Sequence, residues 1–136
     1  MQRREQTMSA ERRRRIAMDA EQLSAFLDGS AEMVVAYVNA DGWPVGALAG
    51  AERHGEEITV AFVDPSGAAA EVGVGDAVCC VAEEGASYDE IRGAIVRGEV
   101  TTVATAAGRH RWTVRERNIS SFDFAALADP GPGGAG

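Results

Sequence analysis

The sequence predicts a small, mainly-β protein, an antiparallel barrel of about six strands with one clear helix. Three observations carry this expectation. Runs rich in β-branched and aromatic residues recur along most of the chain. Turn signals separate them at intervals of about 8–12 residues. One stretch alone repeats apolar residues at strong helical spacing. The length of 136 residues suits one domain, and a composition of 46% hydrophobic and 25% charged residues supplies a packed core.

The helix is expected over Asp19–Asp28. Asp19 is placed to cap it, and Gln22 follows three residues later as in a capping box. Leu23, Phe26 and Leu27 fall on one face, and Gly29 marks the stop. Met33–Asn39 reads as the first strand. Residues 39–42 (Asn-Ala-Asp-Gly) form a turn, and Trp43 begins the return. That return strand, Pro44–Ala51, is made almost wholly of small residues, which lets something else come close to its backbone. Residues 53–56 turn again, Ile58–Val63 is the third strand, and residues 64–67 (Asp-Pro-Ser-Gly) close it. A short helical piece over Ala68–Val72 and a turn at residues 73–76 lead into a buried fourth strand, Ala77–Ala82. Tyr88–Thr105 is a long strand interrupted by Gly93 and Gly98. Arg109–Arg117 alternates basic with other residues, as an edge or half-exposed strand would. Ser120–Leu127 closes the domain. The organisation is therefore a basic arm (1–18), a barrel domain (19–127) and a glycine- and proline-rich tail (128–136).

Charge narrows the function. All 13 basic residues are arginine, which excludes a Schiff-base lysine, a P-loop lysine and a lysine general base. The net charge is −8, yet residues 1–15 hold six arginines against two glutamates. The rest of the chain is strongly acidic and repels phosphate backbones, so no nucleic-acid partner is expected. The arm reads as a solvated extension, with contact to an acidic surface as its alternative role. The longest apolar runs are about six residues, so no membrane span is expected, and the chain reads as cytoplasmic. Cys79 and Cys80 are adjacent, point to opposite faces of a strand and cannot bridge each other.

No catalytic constellation stands out. Gly73-x-Gly75 lacks a third glycine and leads into a strand, so it is no dinucleotide fingerprint. His54 reads as an exposed loop histidine. His110, between Arg109 and Arg111, reads as a neutral surface histidine. The cysteines read as small core residues. Residues 88–92 offer a surface ion pair. No serine–histidine–acid spacing, favoured carboxylate pair or metal-ligand set appears.

The order of motifs is more informative than any one of them. Ala36–Pro44 (Ala-Tyr-Val-Asn-Ala-Asp-Gly-Trp-Pro) is followed by Val60–Ser66, then Tyr88–Gly93 with Val96–Val100, then Ser120–Leu127. Together these resemble the flavin-binding split-barrel superfamily, the pyridoxamine 5′-phosphate oxidase-like proteins, over roughly residues 19–127. The resemblance implies a six-stranded antiparallel split β-barrel of Greek-key type with a few short helices, assembled as a homodimer. It implies FMN, or in some branches a deazaflavin (coenzyme F-420) or heme, held in a cleft at the dimer interface. The activity implied is an oxidoreductase acting on a small organic substrate. Val45, Ala47, Ala49 and Gly50 would line the ring, and Ser66 would meet the phosphate or ribityl chain. The two basic residues that usually follow that serine are Gly67 and Ala68 here, so Arg92, with Arg97, Arg109 and Arg111 as alternates, would supply the charge. Two other readings stand beside this one. One is a binding or scaffold barrel without cofactor. The other is a heme-binding relative using His54 or His110.

Overall fold

Alternating side chains build the wall of the barrel. The computed structural model describes residues 16–85 and 87–124. Helix α1 (Ala20–Asp28) precedes strands β1 (Glu32–Val38), β2 (Pro44–His54), β3 (Glu57–Val63), β4 (Ala77–Glu84), β5 (Arg92–Ala106) and β6 (Arg109–Asp123). Single 3₁₀ turns cover Ala68–Glu71 and Tyr88–Glu90. The strands close in the order β1-β2-β3-β6-β5-β4, with every neighbouring pair antiparallel. The crossover from β3 to β4, followed by two hairpins, gives the Greek-key order 3-6-5-4. The expected fold class is therefore the observed one.

Every second residue faces the interior. Met33, Val35 and Tyr37 come from β1, Ile58, Val60 and Phe62 from β3, and Trp112 and Val114 from β6, all buried. Trp112 packs edge to face on both Tyr37 and Phe62, at 5.2 Å and 4.8 Å between ring centroids. Helix α1 covers the barrel with Phe26 and Leu27 and carries the expected capping box: Gln22 N donates to Asp19 and Asp19 N donates to Gln22. Arg53 fastens this helix. Its guanidinium grips Glu116 through Nε (2.9 Å) and Nη2 (3.1 Å), and Nη1 reaches Asp28 at 3.0 Å.

Three expectations are narrowed or corrected. Of the two readings of Arg109–Arg117, edge or half-exposed strand, the structure holds the second, since β6 pairs with β3 on one side and β5 on the other. Its basic alternation marks the wet outer face of a closed wall. For the same reason His110 is not a surface histidine. It shares the inward parity of Trp112 and Val114, is 4% exposed, stacks on Phe62 and lies 3.2 Å from Thr105 Oγ1. The long fifth strand begins at Arg92, after the 3₁₀ turn. Ile16 and Met18 are buried as well, just ahead of the expected domain start, and Met18 N donates to Ser121 Oγ. Residues 1–15 of the expected arm, and the tail, lie outside the described residues.

Candidate functional site

The structure does not gather the six expected cofactor residues. Val45, Ala47 and Ala49 share one face of β2, turned toward the core, and Ala49 is 1% exposed. Gly50 has the opposite parity and lies on the outer face with Gly46 and Leu48. Ser66 sits on the turn after β3. Arg92 starts β5, ion-paired to Glu84 and with its guanidinium 5.3 Å over the Phe26 ring. The reason is the period of two: a run of consecutive small residues reads as one surface, but a strand divides it between two faces.

The Ser66 turn already holds an anion of its own. Asp64 Oδ1 accepts from Ser66 N (2.9 Å) and Ser66 Oγ (2.5 Å), while Oδ2 accepts from Tyr37 Oη and Ala69 N, both at 2.7 Å. Ser66 Oγ in turn accepts from Ala68 N. Burial works to raise the Asp64 pKa. The hydrogen bonds from Ser66, Tyr37 and Ala69 outweigh it and hold the carboxyl well below the usual range. The Tyr37 hydroxyl is pushed the other way, by its own burial and by the adjacent carboxylate. Asp64 thus takes up the hydroxyl and N–H donors that a phosphate at Ser66 would use.

A different set of groups is open. Gly50 pairs with Ala61 of β3, and Ala61 pairs with Arg111 of β6. These three form a row across the outer face. With Ala31, Ala51, Glu52 and Thr59 they line a cleft of about 260 Å³. A Cβ on Gly50 would meet nothing of the chain closer than Ala61 O at 4.0 Å. Packing does not require glycine there, so its missing side chain leaves room for something outside the wall. Arg111 has no carboxylate partner among the described residues, and the same holds for Arg109 and Arg115 on the same face. The sequence signal for this row was present. The alternation in Arg109–Arg115 sets arginines on one face, but only the closed sheet places that face beside Gly50.

No family model and no curated protein matches this sequence. Solved structures do match its fold. A conserved hypothetical protein of Mycobacterium tuberculosis superposes with a TM-score of 0.67 at 18% identity, over 89% of this chain and 94% of that one. A candidate pyridoxamine 5′-phosphate oxidase of Corynebacterium glutamicum gives 0.59 at 8% identity, over 77% and 94%. An FAD-binding protein of Mycobacterium smegmatis gives 0.57 at 19% identity, over 77% and 94%. This chain has the split-barrel fold.

In this split barrel the ladder is uneven. β1 and β4 pair over only three residues, Val34–Ala36 with Cys79–Val81. The first half of β2, Pro44–Ala49, pairs with β1 alone; Gly50 pairs with both neighbours, and Ala51–His54 pairs with β3. Where β1 and β4 diverge, a recess of about 330 Å³ opens, lined chiefly by apolar side chains including Ala36, Val38, Pro44 and Cys79. Cys79 is half-buried. Burial, with lesser contributions from Cys79 and Glu116, pushes the Cys80 thiol up to about 12. The two histidines stand apart: His54 is exposed and beside Glu52, and His110 is enclosed in the aromatic cluster. Among the described residues no group of three or more metal-ligating side chains comes together, and no helix is long and apolar enough to cross a membrane.

Proposed function

We propose that this split barrel binds a flavin-type cofactor, FMN or a deazaflavin, and serves as an oxidoreductase for a small organic substrate. The observation that carries this reading is the Gly50–Ala61–Arg111 row. It joins a floor of glycine and alanine to a guanidinium with no carboxylate partner among the described residues, which suits a flat ring bearing an anionic tail. The bound flavin supplies the hydride chemistry, so the protein needs no catalytic acid of its own. The chain's part is to bind and orient. Gly50 and Ala61 admit the ring, Arg111 takes the anionic group, and the free backbone edge of Pro44–Ala49 offers hydrogen bonds to a polar rim.

The reading includes a homodimer. Val34, Val38, Trp43 and Leu48 are between 41% and 69% exposed on β1, β2 and their hairpin. Apolar exposure of that kind is the mark of a partner surface, and a second copy would cover it and wall the cleft. The test is an absorbance spectrum of freshly purified protein, with any released cofactor identified by mass, followed by titration of the colourless protein with FMN and with a deazaflavin. Flavin absorbance, or thermal stabilisation on titration, is the expected result. A colourless protein stabilised by neither compound overturns the reading in favour of a cofactor-free binding barrel. A Soret band would point to heme.

A further inference from the structure

We propose that residues 101–106 of β5 form a docking edge that accepts an extended acidic peptide as an added strand, with Arg109 and Arg111 of β6 taking its carboxylates. This goes beyond the cofactor reading and does not rest on it; Arg109 serves the peptide alone, whereas peptide and cofactor would compete for Arg111.

The edge is defined by where β4 stops. β4 pairs with β5 only as far as Glu99, and Gly75 N and Asp76 O take up the backbone of Val100. Beyond that point a bulge at Thr101 leads into Thr102–Ala106, which pairs with β6 alone. An unpaired ladder of this length is a template for another strand. Proteins usually guard such edges with lysine, proline or inward charges. The sequence Thr-Thr-Val-Ala-Thr-Ala has no lysine, proline or charge, only the bulge at Thr101, and all but Thr101 are exposed.

The neighbouring strand says what the incoming strand should carry. Ala104 lies opposite Arg111, and Ala106 lies opposite Arg109. Both alanines are on the outer face and are small enough to leave a lane across the edge strand. Adjacent strands are about 4.8 Å apart, so the incoming strand lies about 10 Å from β6, a distance that an extended arginine and a glutamate reaching toward it across the alanines span together. Arg53, Arg92 and Arg117 each hold a carboxylate of the chain, whereas Arg109 and Arg111 hold none among the described residues. The inner side of the edge carries Val103, opposite Trp112 and 39% exposed, and Thr105, opposite His110. The complementary strand therefore alternates acidic, apolar, acidic, its carboxylates opposite Ala104 and Ala106 on the arginine side and its middle residue opposite Thr105 on the inner side, beside Val103. A nucleic-acid backbone would find the arginines but could not use the open ladder.

The test is fluorescence anisotropy on the full chain with labelled peptides whose cores are Glu-Val-Glu, Gln-Val-Gln and Lys-Val-Lys. The acidic peptide should bind about tenfold more tightly than the glutamine peptide, and the lysine peptide should not bind. Binding should weaken as salt rises from roughly 50 to 300 mM. Ala104→Glu should lower affinity about tenfold, and Arg109→Gln about threefold or more. Both sites are exposed, and circular dichroism and thermal melts should show unchanged folding. Amide exchange should slow within Thr101–Ala106 on binding. Equal binding of the acidic and glutamine peptides, indifference to Ala104→Glu, protection confined to another surface, or no binding at all would each overturn the proposal.

Discussion

Gly98 and Gly50 both interrupt strands, yet they do so for opposite reasons. A Cβ on Gly98 would sit 2.3 Å from Arg115 O and 2.7 Å from Val114 Cγ1. The two longest strands, β5 and β6, close on each other there, and only hydrogen fits. A Cβ on Gly50 would stand in open space above Ala61. The first glycine is demanded by the protein's interior, and the second is unused by it. The contrast extends to the charged groups. Asp64 and Arg53 are fully engaged with the chain, whereas Arg109 and Arg111 are engaged with nothing described. The engaged groups hold the fold, whereas the exposed arginines are left to water or to whatever meets the outer face.

The largest effect should come from closing the interior gap. Gly98→Ala drives a methyl into a backbone carbonyl that cannot move without separating β5 from β6. The expected cost is about 3 kcal/mol or more, enough to make the variant insoluble or to lower its melting temperature by many degrees. A denaturant midpoint within experimental error of the parent would break the contrast at its stronger end.

Next is the Asp64 turn. Asp64→Ala leaves the Tyr37 hydroxyl without its acceptor and removes the support of the Ala68–Glu71 turn, at a cost of about 2 kcal/mol. The carboxyl's pKa is lowered in the folded protein. Its stabilising contribution is therefore complete above the unfolded-state pKa of about 3.9 and is lost as pH falls toward the folded value. Parent and Asp64→Ala should accordingly differ most at neutral pH and converge in strong acid. A constant gap between them from pH 7 to pH 2 would show that the carboxylate form is not what the turn requires.

The adjacent thiols give a milder version of the same contrast, without any cost in stability. Cys80 is fully buried, with its thiol pushed up to about 12, while Cys79 lines the outer recess. An alkylating reagent at pH 8 should label one cysteine per folded chain, at Cys79, and the second only after denaturation. Mass mapping distinguishes the two. Equal labelling of both in the native protein would mean that β4 opens far more readily than its burial implies.

Much of this was legible in the residues, but unevenly so. The capping box at Asp19 and Gln22 is a local device, complete within four residues, and it forms as read. The strands follow from β-branched runs and turn residues, which are also local. The resemblance carried the barrel and its Greek-key order, but the residues by themselves did not say which side chains the closed sheet would bring together. His110 looked like a surface residue because its flanking arginines are close in sequence, yet β-sheet parity separates them by the thickness of the wall. Ser66 looked like a phosphate ligand, but the sequence does not say that Asp64, two residues earlier, would fold back and claim the same donors. Arg111 meets Gly50 only because β3 lies between them in the closed sheet, a relation fixed by a crossover of more than forty residues.

The smallest change in stability should accompany a clear change in binding. Glycine within a strand costs roughly 0.5–1 kcal/mol relative to a residue with a side chain, through lost backbone entropy and missing packing. Valine favours strand geometry, and the nearest obstacle to its Cβ at position 50 is 4.0 Å away. Gly50→Val should therefore leave the fold intact and raise its stability by about 0.5 kcal/mol. If the cleft over Ala61 receives a flavin ring, the same substitution fills it, and FMN or deazaflavin affinity should fall about tenfold or more. A stabilised protein that has lost its cofactor would mark Gly50 as a residue kept at the fold's expense. A stabilised protein that binds flavin as before would place the ring elsewhere, with the recess between β1 and β4 the next surface to examine by the same kind of substitution at Ala36.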